Sequence, residues 1–397
     1  MNSRSGSVSW EHVTGMSCVL RNLAFLALAC AAAATAARAQ VTSITGVGGS
    51  EVSDAVSTET GARAGSFIVA PIPFSNPVLE SGLTLGAGYL FTVSGSRPSG
   101  FGAAKMKSGN GSEGYGAGGV VNFADGRWTL GLVYGNADLN YDLPATLPGV
   151  RSFRLPLDQS AKLAALELGY NFSPSFSVTG SLTHLDSTIA FNTATVPAAL
   201  LQDTNVEVGI FGLRFQWDTR DDTFYPTTGD LTKLSLSHAR DTGTLFGGKV
   251  TTQDRQYSKA ILSAASYWSL ENDAVIAVRG VVCGASASAP FFDACGVGAV
   301  DGMRGFPATD NIRDYSASIQ AEYRDRFGQS RFGYVLFGGY GVGGNDPSNM
   351  SDSAGGAAVG TGLRFRLSRK FALDYALDFA VNDEGQQYVY VYLGQRF

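Results

Sequence analysis

The sequence has little of what enzymes and nucleic-acid-binding proteins need. Past residue 39 it holds two histidines, His184 and His238, and two cysteines. Its acidic residues lack the spacing of metal ligands. The formal net charge is −5 and there is no basic block, which argues against nucleic-acid binding. Strand phase places both histidines outward at a rim, away from any nucleophile. We therefore expect no enzyme, no metal or other cofactor and no nucleic-acid partner.

Long apolar runs are also missing. Beyond the N-terminal segment none reaches the about 20 residues that a membrane helix requires, which excludes a bundle of membrane helices. Proline is scarce, at 13 residues, while glycine is abundant, at 50. Phe and Tyr number 24 and 16, enough for two aromatic girdles. A transmembrane β-barrel remains compatible with this composition, because alternation hides half of each strand's polarity.

The N-terminus has the form of a secretory leader. Met16 to Arg21 is short and basic, and an alanine-rich apolar stretch follows. Ala37-Arg38-Ala39 has the small-x-small form of a signal-peptidase site. We expect a signal peptide over 1–39, with Met16 as an alternative start. A lipoprotein anchored at Cys30 is disfavoured, because the leucine usually found three residues earlier is absent. Residues 40–64 are expected to form a short periplasmic stub.

The final segment is typical of a terminal barrel strand. Val389, Val391 and Leu393 fall in one period-2 phase with Phe397, and tyrosines fill the other phase. In hydrocarbon every backbone group must be paired inside the protein, so strands must close into a barrel. We interpret Gly394 and Phe397 as a terminal-strand signal. The alternative is the edge strand of a soluble sandwich.

The rest of the chain reads as strand, turn, strand, with long polar connections at one end. We expect an all-β, antiparallel transmembrane barrel over 65–397. Together with the secretory leader, this barrel predicts that the protein is located in the bacterial outer membrane. The sixteen expected strands are 65–72, 82–93, 101–108, 114–123, 127–139, 159–171, 175–188, 205–218, 230–240, 249–269, 272–286, 312–326, 331–341, 355–367, 371–380 and 387–397.

Side-chain phase predicts which residues face the lumen. Leu363 and Phe365 share the lipid face of one strand, and Asp374 and Asp378 share the lumenal face of the next. If Leu367 pairs with Phe371 across the turn, Arg364 lies opposite Asp374, which predicts a lumenal ion pair. The same phase puts Glu322 and Arg324 in the lumen.

Two segments do more than alternate. One runs from Phe215 to Gly229 across an expected periplasmic turn, where acidic side chains can bind turn N–H groups. The other, Asp301 to Asp310, lies in the longest loop. At the stem of that loop Cys283 and Cys295, in an exported protein, suggest a disulfide.

Together these segments resemble the outer-membrane assembly-factor superfamily, the BamA/TamA-like bacterial surface antigen barrels. The resemblance covers roughly 65–397 and implies a sixteen-stranded barrel with the long loop folded into its lumen. It also implies that Arg304 meets Glu322 there. The family's second acid falls near Gly339, where this chain has none. The matching residues are Asp218, Arg220, Asp221, Pro226, Thr227 and Gly229 in the turn, Met303, Arg304, Gly305 and Phe306 in the loop, and Gly394 to Phe397 at the end.

The resemblance implies a function. We expect the protein to assist insertion or translocation of proteins or lipids at the outer membrane, as a short member without POTRA domains. Its expected partners are outer-membrane lipids and lipopolysaccharide, and also unfolded outer-membrane proteins or other barrel subunits. The alternatives are a passive pore and a structural surface antigen.

Overall fold

A computed structural model describes residues 66–145, 153–191, 204–223, 225–244, 252–270, 274–299, 302–352, 354–368 and 373–397. The expected signal peptide (1–39) and stub (40–64) lie outside these residues. Helical structure in the described part is limited to two 3-10 turns, Phe291–Asp293 and Pro347–Asp352. No helix there is long and apolar enough to cross a membrane.

Sixteen described strands form one closed antiparallel barrel, as the sequence predicts, and two short strands, Cys295–Gly296 and Ile312–Arg313, form a separate two-stranded sheet. Each barrel strand neighbours the next barrel strand along the chain, and the last strand pairs with the first to close the barrel. The strands are β1 Ser66–Asn76, β2 Glu80–Thr92, β3 Pro98–Ser108, β4 Glu113–Phe123, β5 Trp128–Ala145, β6 Phe153–Ser173, β7 Phe176–Phe191, β8 Thr204–Asp218, β9 Gly229–Thr244, β10 Thr252–Ser269, β11 Val275–Ala285, β12 Cys295–Gly296, β13 Ile312–Arg313, β14 Tyr315–Arg326, β15 Phe332–Gly344, β16 Ala354–Ser368, β17 Leu373–Asn382 and β18 Gln387–Leu393.

Side chains alternate between the two faces of each strand, because successive residues of a strand point to opposite sides of the sheet. In β16, Leu363 and Phe365 are exposed on the outer face, whereas Arg364 is buried in the lumen. In β17, Asp374 and Asp378 are fully buried while Leu377 is exposed. These faces are the ones predicted from strand phase.

The two ends of the barrel differ. We call the end that holds the described residues 93–97, 124–127, 174–175, 219–223, 225–228 and 327–331 the turn end. The opposite, loop end holds the long connection of residues 286–314 between β11 and β14. The start of β1 and the end of β18 both lie at the turn end.

The lumen changes character between these ends along β5 to β8. Toward the turn end, inward side chains are polar, as in the ion pair of Arg214 Nη2 with Glu167 Oε2 at 2.9 Å. Toward the loop end they are apolar and pack around Phe292 of the long connection. The long strands β5 and β6 therefore line an apolar core at this end of the lumen. Its buried members are Leu79, Leu139, Tyr141, Leu157, Leu185, Ile189, Val206, Val208, Ile210, Ala239, Tyr257 and Phe292.

Candidate functional site

The long connection enters the lumen at Arg304, whose side chain is 1% exposed. Its Nη2 lies 2.5 Å from Glu322 Oε2 on β14, and its Nη1 lies 2.6 Å from Asp378 Oδ2 on β17. The guanidinium also lies 3.5 Å from the centroid of the Phe337 ring on β15. One side chain thus joins the loop to three different strands through charge-assisted hydrogen bonds and a cation–π contact.

Backbone geometry lets Arg304 reach these partners. Gly302 and Gly305 have φ values of +61° and +96°, a region that side chains disfavour. A Cβ on Gly305 would lie 2.6 Å from the Cβ of Ala358 on the barrel wall. The Gly305 N–H donates to the Tyr390 hydroxyl at 2.9 Å. The loop backbone therefore lies directly against β16 and β18.

The residues on either side of Arg304 are apolar and buried. Met303 and Phe306 pack with Val297 and Ala358 in one cluster. In the expected loop motif, a buried charged side chain is thus flanked by two buried apolar side chains. The motif consists of Met303, Arg304, Gly305 and Phe306.

Further charges extend the Arg304 pairs into a chain of five residues. Glu322 accepts a 2.6 Å hydrogen bond from Arg324 Nε, and Asp378 accepts a 2.5 Å bond from Arg364 Nη1. Tyr392 donates to Asp378 at 2.6 Å. Asp378 supplies the second acid that the sequence lacks near Gly339.

The expected pair of Arg364 with Asp374 is wrong. In the β16–β17 ladder Arg364 lies opposite Ala376, and Arg366 lies opposite Asp374, with an irregularity between Arg366 and Ser368. Asp374 instead accepts from Arg366 Nε at 2.7 Å and Arg326 Nη2 at 2.6 Å. The register differs by two residues from the expected one, which keeps the predicted face but changes the partner.

The residues of the expected turn motif form hydrogen bonds within the connection between β8 and β9, at the turn end. Arg220 donates two 2.9 Å bonds to the carboxylate of Asp218, and the Asp221 carboxylate accepts from Thr227 and Thr228. Gly229 has φ +97°, and a Cβ there would lie 2.2 Å from Thr219 O. Within the turn, Pro226 O accepts a 3.4 Å bond from Arg324.

Sequence reasoning gave no role to Tyr225 in this turn. The guanidinium carbons of Arg366 and Arg326 lie 4.8 and 5.1 Å from the centroid of its ring. Its only signal in the sequence is its place directly before Pro226 of the motif.

Two contacts hold the first part of the long connection. Cys283 and Cys295 form a disulfide with a Cα–Cα distance of 5.8 Å. Two residues before Cys295, Asp293 accepts 2.9 Å bonds from Lys259 Nζ and the Tyr257 hydroxyl on β10. Lys259 and Asp293 are 1% and 0% exposed. No motif pointed to this buried pair, because its members lie on a strand and a distant loop.

The terminal segment departs from the expected strand over 387–397. β18 ends at Leu393, and Gly394, with φ +91°, turns the chain inward. Phe397 then packs near Tyr267 and Ala277 in the lumen, and its carbonyl oxygen accepts from Arg324. The expected strand over 387–397 is therefore four residues too long, and Phe397 does not continue the strand phase of Val389.

The barrel closes weakly between its first and last strands. Both strands are described throughout, and their ladder contains one residue pair, Ser75 with Val391. On its other side, β18 pairs with β17 from Tyr375–Leu393 to Val381–Gln387. We call the β1–β18 boundary the seam.

The described residues contain no group of three or more His, Cys, Asp or Glu side chains placed to hold a metal ion. The site consists instead of a buried ionic network, a loop held in the lumen and the seam beside it. This arrangement positions the loop against the barrel wall and leaves strand edges beside it.

The Omp85 superfamily domain matches residues 151–397 of the sequence. No curated protein matches this sequence.

Solved structures show the same fold at low identity. BamA from Haemophilus ducreyi lacking POTRA domains 1–3 is 12% identical, with a TM-score of 0.57 over 83% of this chain and 70% of that one. CdiB from Acinetobacter baumannii is 15% identical, with a TM-score of 0.53 over 82% and 59%. CdiB from Escherichia coli is 12% identical, with a TM-score of 0.51 over 81% and 62%. The chain thus spans about 60% of each CdiB chain.

Proposed function

The chain belongs to the Omp85 superfamily, and on this premise we propose that it assists the insertion or translocation of proteins or lipids at the bacterial outer membrane. Members of this superfamily are insertion or translocation factors that handle outer-membrane proteins or secreted substrates. The observation that carries the proposal is the seam.

A seam of one residue pair leaves strand edges incompletely used. In hydrocarbon an unpaired backbone group costs several kcal/mol, so the edge of a barrel strand readily accepts another strand. Because only Ser75 and Val391 are paired, the barrel can part here with less loss than at any fully paired boundary. A seam of this kind offers an incoming chain a path between lumen and lipid.

A passive pore is the alternative, and the contents of the lumen argue against it. Arg304 and its partners cross the lumen, and Phe292 fills the apolar core toward the loop end. At the turn end, the ring of Tyr225 and the inward-turned Phe397 also contact side chains of the lumen. A pore would show steady conductance in a planar bilayer, whereas these contacts predict a closed barrel.

The outer face supports a membrane location. A row of aromatic side chains lies near the turn end on β5 to β8, with ring centroids 4.8 to 6.0 Å apart. Aromatic residues concentrate at membrane–water interfaces, where their amphipathic rings sit at headgroup level. The row consists of Trp128, Tyr170, Phe172, Phe176 and Trp217. Outer-membrane lipids and lipopolysaccharide are the surrounding partners that we propose.

Deletion of the gene tests the proposal. We expect the deletion strain to lose or mislocalise particular outer-membrane proteins or lipids in a quantitative inventory, and the intact gene to restore them. An unchanged inventory, with steady conductance of the purified barrel, would favour the pore. An unchanged inventory without conductance would favour the third possibility, a structural surface antigen.

A further inference from the structure

The first strand of the seam contains two prolines, Pro71 and Pro73. The Tyr375 hydroxyl donates a 2.5 Å hydrogen bond to Pro71 O. Tyr375 belongs to β17, which lies beyond β18 as seen from β1. The carbonyl of Pro71 therefore points toward the seam and away from β2.

The same orientation extends to Pro73. In an antiparallel strand the N–H and C=O of one residue point to the same edge, and the edge alternates from residue to residue. Pro73 lies two residues after Pro71, so its backbone also points toward the seam. Since proline has no N–H, this edge of β1 has no donor at either position.

The prolines leave the other edge of β1 intact. β1 pairs with β2 from Ser66–Leu90 to Asn76–Glu80 without interruption. The residues between and beside the prolines, Ala70, Ile72 and Phe74, direct their backbone groups to β2. Proline in a sheet is confined to edges where no ladder bond is needed, and in natural proteins it protects edges against unwanted pairing.

β18 has the opposite character. Its seven residues, Gln387 to Leu393, include no proline and consist largely of valine and tyrosine, which favour strands. Every residue of this edge can donate and accept. The two sides of the seam are therefore unequal, because β1 lacks a donor at two positions and β18 lacks none.

We propose that β18, and not β1, is the edge that receives an incoming strand. The partner is an extended segment of an unfolded membrane barrel, and this inference rests on the proposed function. A strand added to β1 would leave its own carbonyls without donors opposite Pro71 and Pro73, in lipid where water cannot replace them. A strand added to β18 finds a partner for each group.

Cysteine crosslinking tests this assignment in the full-length folded protein. Val69→Cys on β1 and Val389→Cys on β18 place a thiol on the outer face, at positions that are 70% and 49% exposed. The natural disulfide is buried and stays in place. The probe is a urea-unfolded second copy of residues 40–397 with Cys283 and Cys295 replaced by serine and a single cysteine introduced in its last strand.

We expect the probe to form disulfides with Val389→Cys at least about tenfold more than with Val69→Cys, since each of the two unmade buried hydrogen bonds corresponds to about that factor. Equal yields, or a higher yield at Val69→Cys, would overturn the assignment. Crosslinking at neither position would overturn the proposed insertion function itself, which separates the two failures.

A matched variant tests the cause. Adding Pro71→Val and Pro73→Val to Val69→Cys restores two donors to β1, so we expect crosslinking there to rise toward the Val389→Cys level. The single change Pro73→Val, which restores one donor, should give an intermediate yield. Heat-modifiable migration on gels selects the variants that fold. Folded variants with unchanged yield at position 69 would show that the prolines do not set the preference.

Discussion

Arg304 Nη1 lies 2.6 Å from Asp378 Oδ2, although 74 residues separate the two in the sequence. The other terminal nitrogen of the same guanidinium binds Glu322. Because Glu322 and Asp378 lie on β14 and β17, the loop bridges the part of the barrel that ends at the seam. The contacts that hold the loop in the lumen therefore also connect the strands next to the seam.

Loss of Arg304 should destabilise the barrel strongly. Arg304→Ala leaves two buried carboxylates without this partner, and removing one member of a buried pair costs about 3–5 kcal/mol. Heat resistance of the folded barrel on gels measures the effect. Arg154→Ala is the control, because its pair with Asp310 is exposed, 51% at the arginine, and such pairs contribute about 0–1 kcal/mol.

Coupling between Arg304 and Glu322 can be measured by a double-mutant cycle. We expect Glu322→Ala to lower heat resistance as Arg304→Ala does, and the double variant to be no worse than either single one, because the second change removes a stranded charge. Losses that simply add would mean that the two residues are independent.

The disulfide should be present in cells and should stabilise the loop stem. Cys283 and Cys295 are separated by 12 residues, and closing a loop of about that size contributes about 3 kcal/mol in the chain-entropy account. Alkylation of freshly isolated membranes should label neither residue before reduction and both afterwards. The Cys283→Ser/Cys295→Ser variant should lose heat resistance while keeping its barrel migration. Labelling without reductant would contradict the prediction.

Asp221 should make stability depend on acid. Desolvation raises the pKa of its carboxyl, but hydrogen bonds from Thr227 and Thr228 outweigh this and lower the pKa below its usual value. A carboxyl with a lowered folded pKa stabilises the fold above its unfolded pKa of about 3.9. That contribution disappears as the pH falls through the folded pKa. Unfolding midpoints measured from neutral pH to below pH 4 should fall less steeply in Asp221→Asn than in the natural protein, and equal slopes would refute the assignment.

Gly305 should tolerate no side chain. Gly305→Ala combines a positive φ with a Cβ 2.6 Å from that of Ala358, and overpacking of this kind costs about 1–3 kcal/mol. Folded yield and heat resistance should drop together. Gly180→Ala is the matched control, since a Cβ there meets no atom within 4 Å. Equal behaviour of the two variants would mean that the loop does not press against the wall.

Strand positions and faces could be predicted because alternation is local. The period of two in β16 and β17 is visible in the residues themselves, and that pattern predicts a lumenal side chain for Asp378. Its bond to Arg304 could not be read from it, because phase gives the face of a residue and not the partner it meets across the lumen.

Register and termination were harder to predict. Pairing Leu367 with Phe371 ignored the irregularity between Arg366 and Ser368, and a shift of two residues moved Asp374 from Arg364 to Arg366. Phe397 was assigned to a strand because its phase fitted. The inward turn at Gly394 depends on lumenal partners such as Arg324, which lie 70 residues and more away in sequence.

Locking the seam tests the account most directly. Ser75→Cys with Val391→Cys places two thiols at the one residue pair that joins β1 and β18, within the reach of a disulfide. Leu363→Cys with Leu377→Cys, a facing pair inside the continuous β16–β17 ladder, is the control. In the deletion strain, we predict that the control restores the outer-membrane inventory and the locked seam does not. Full restoration by a barrel whose seam is verifiably crosslinked would contradict a function that works through the seam.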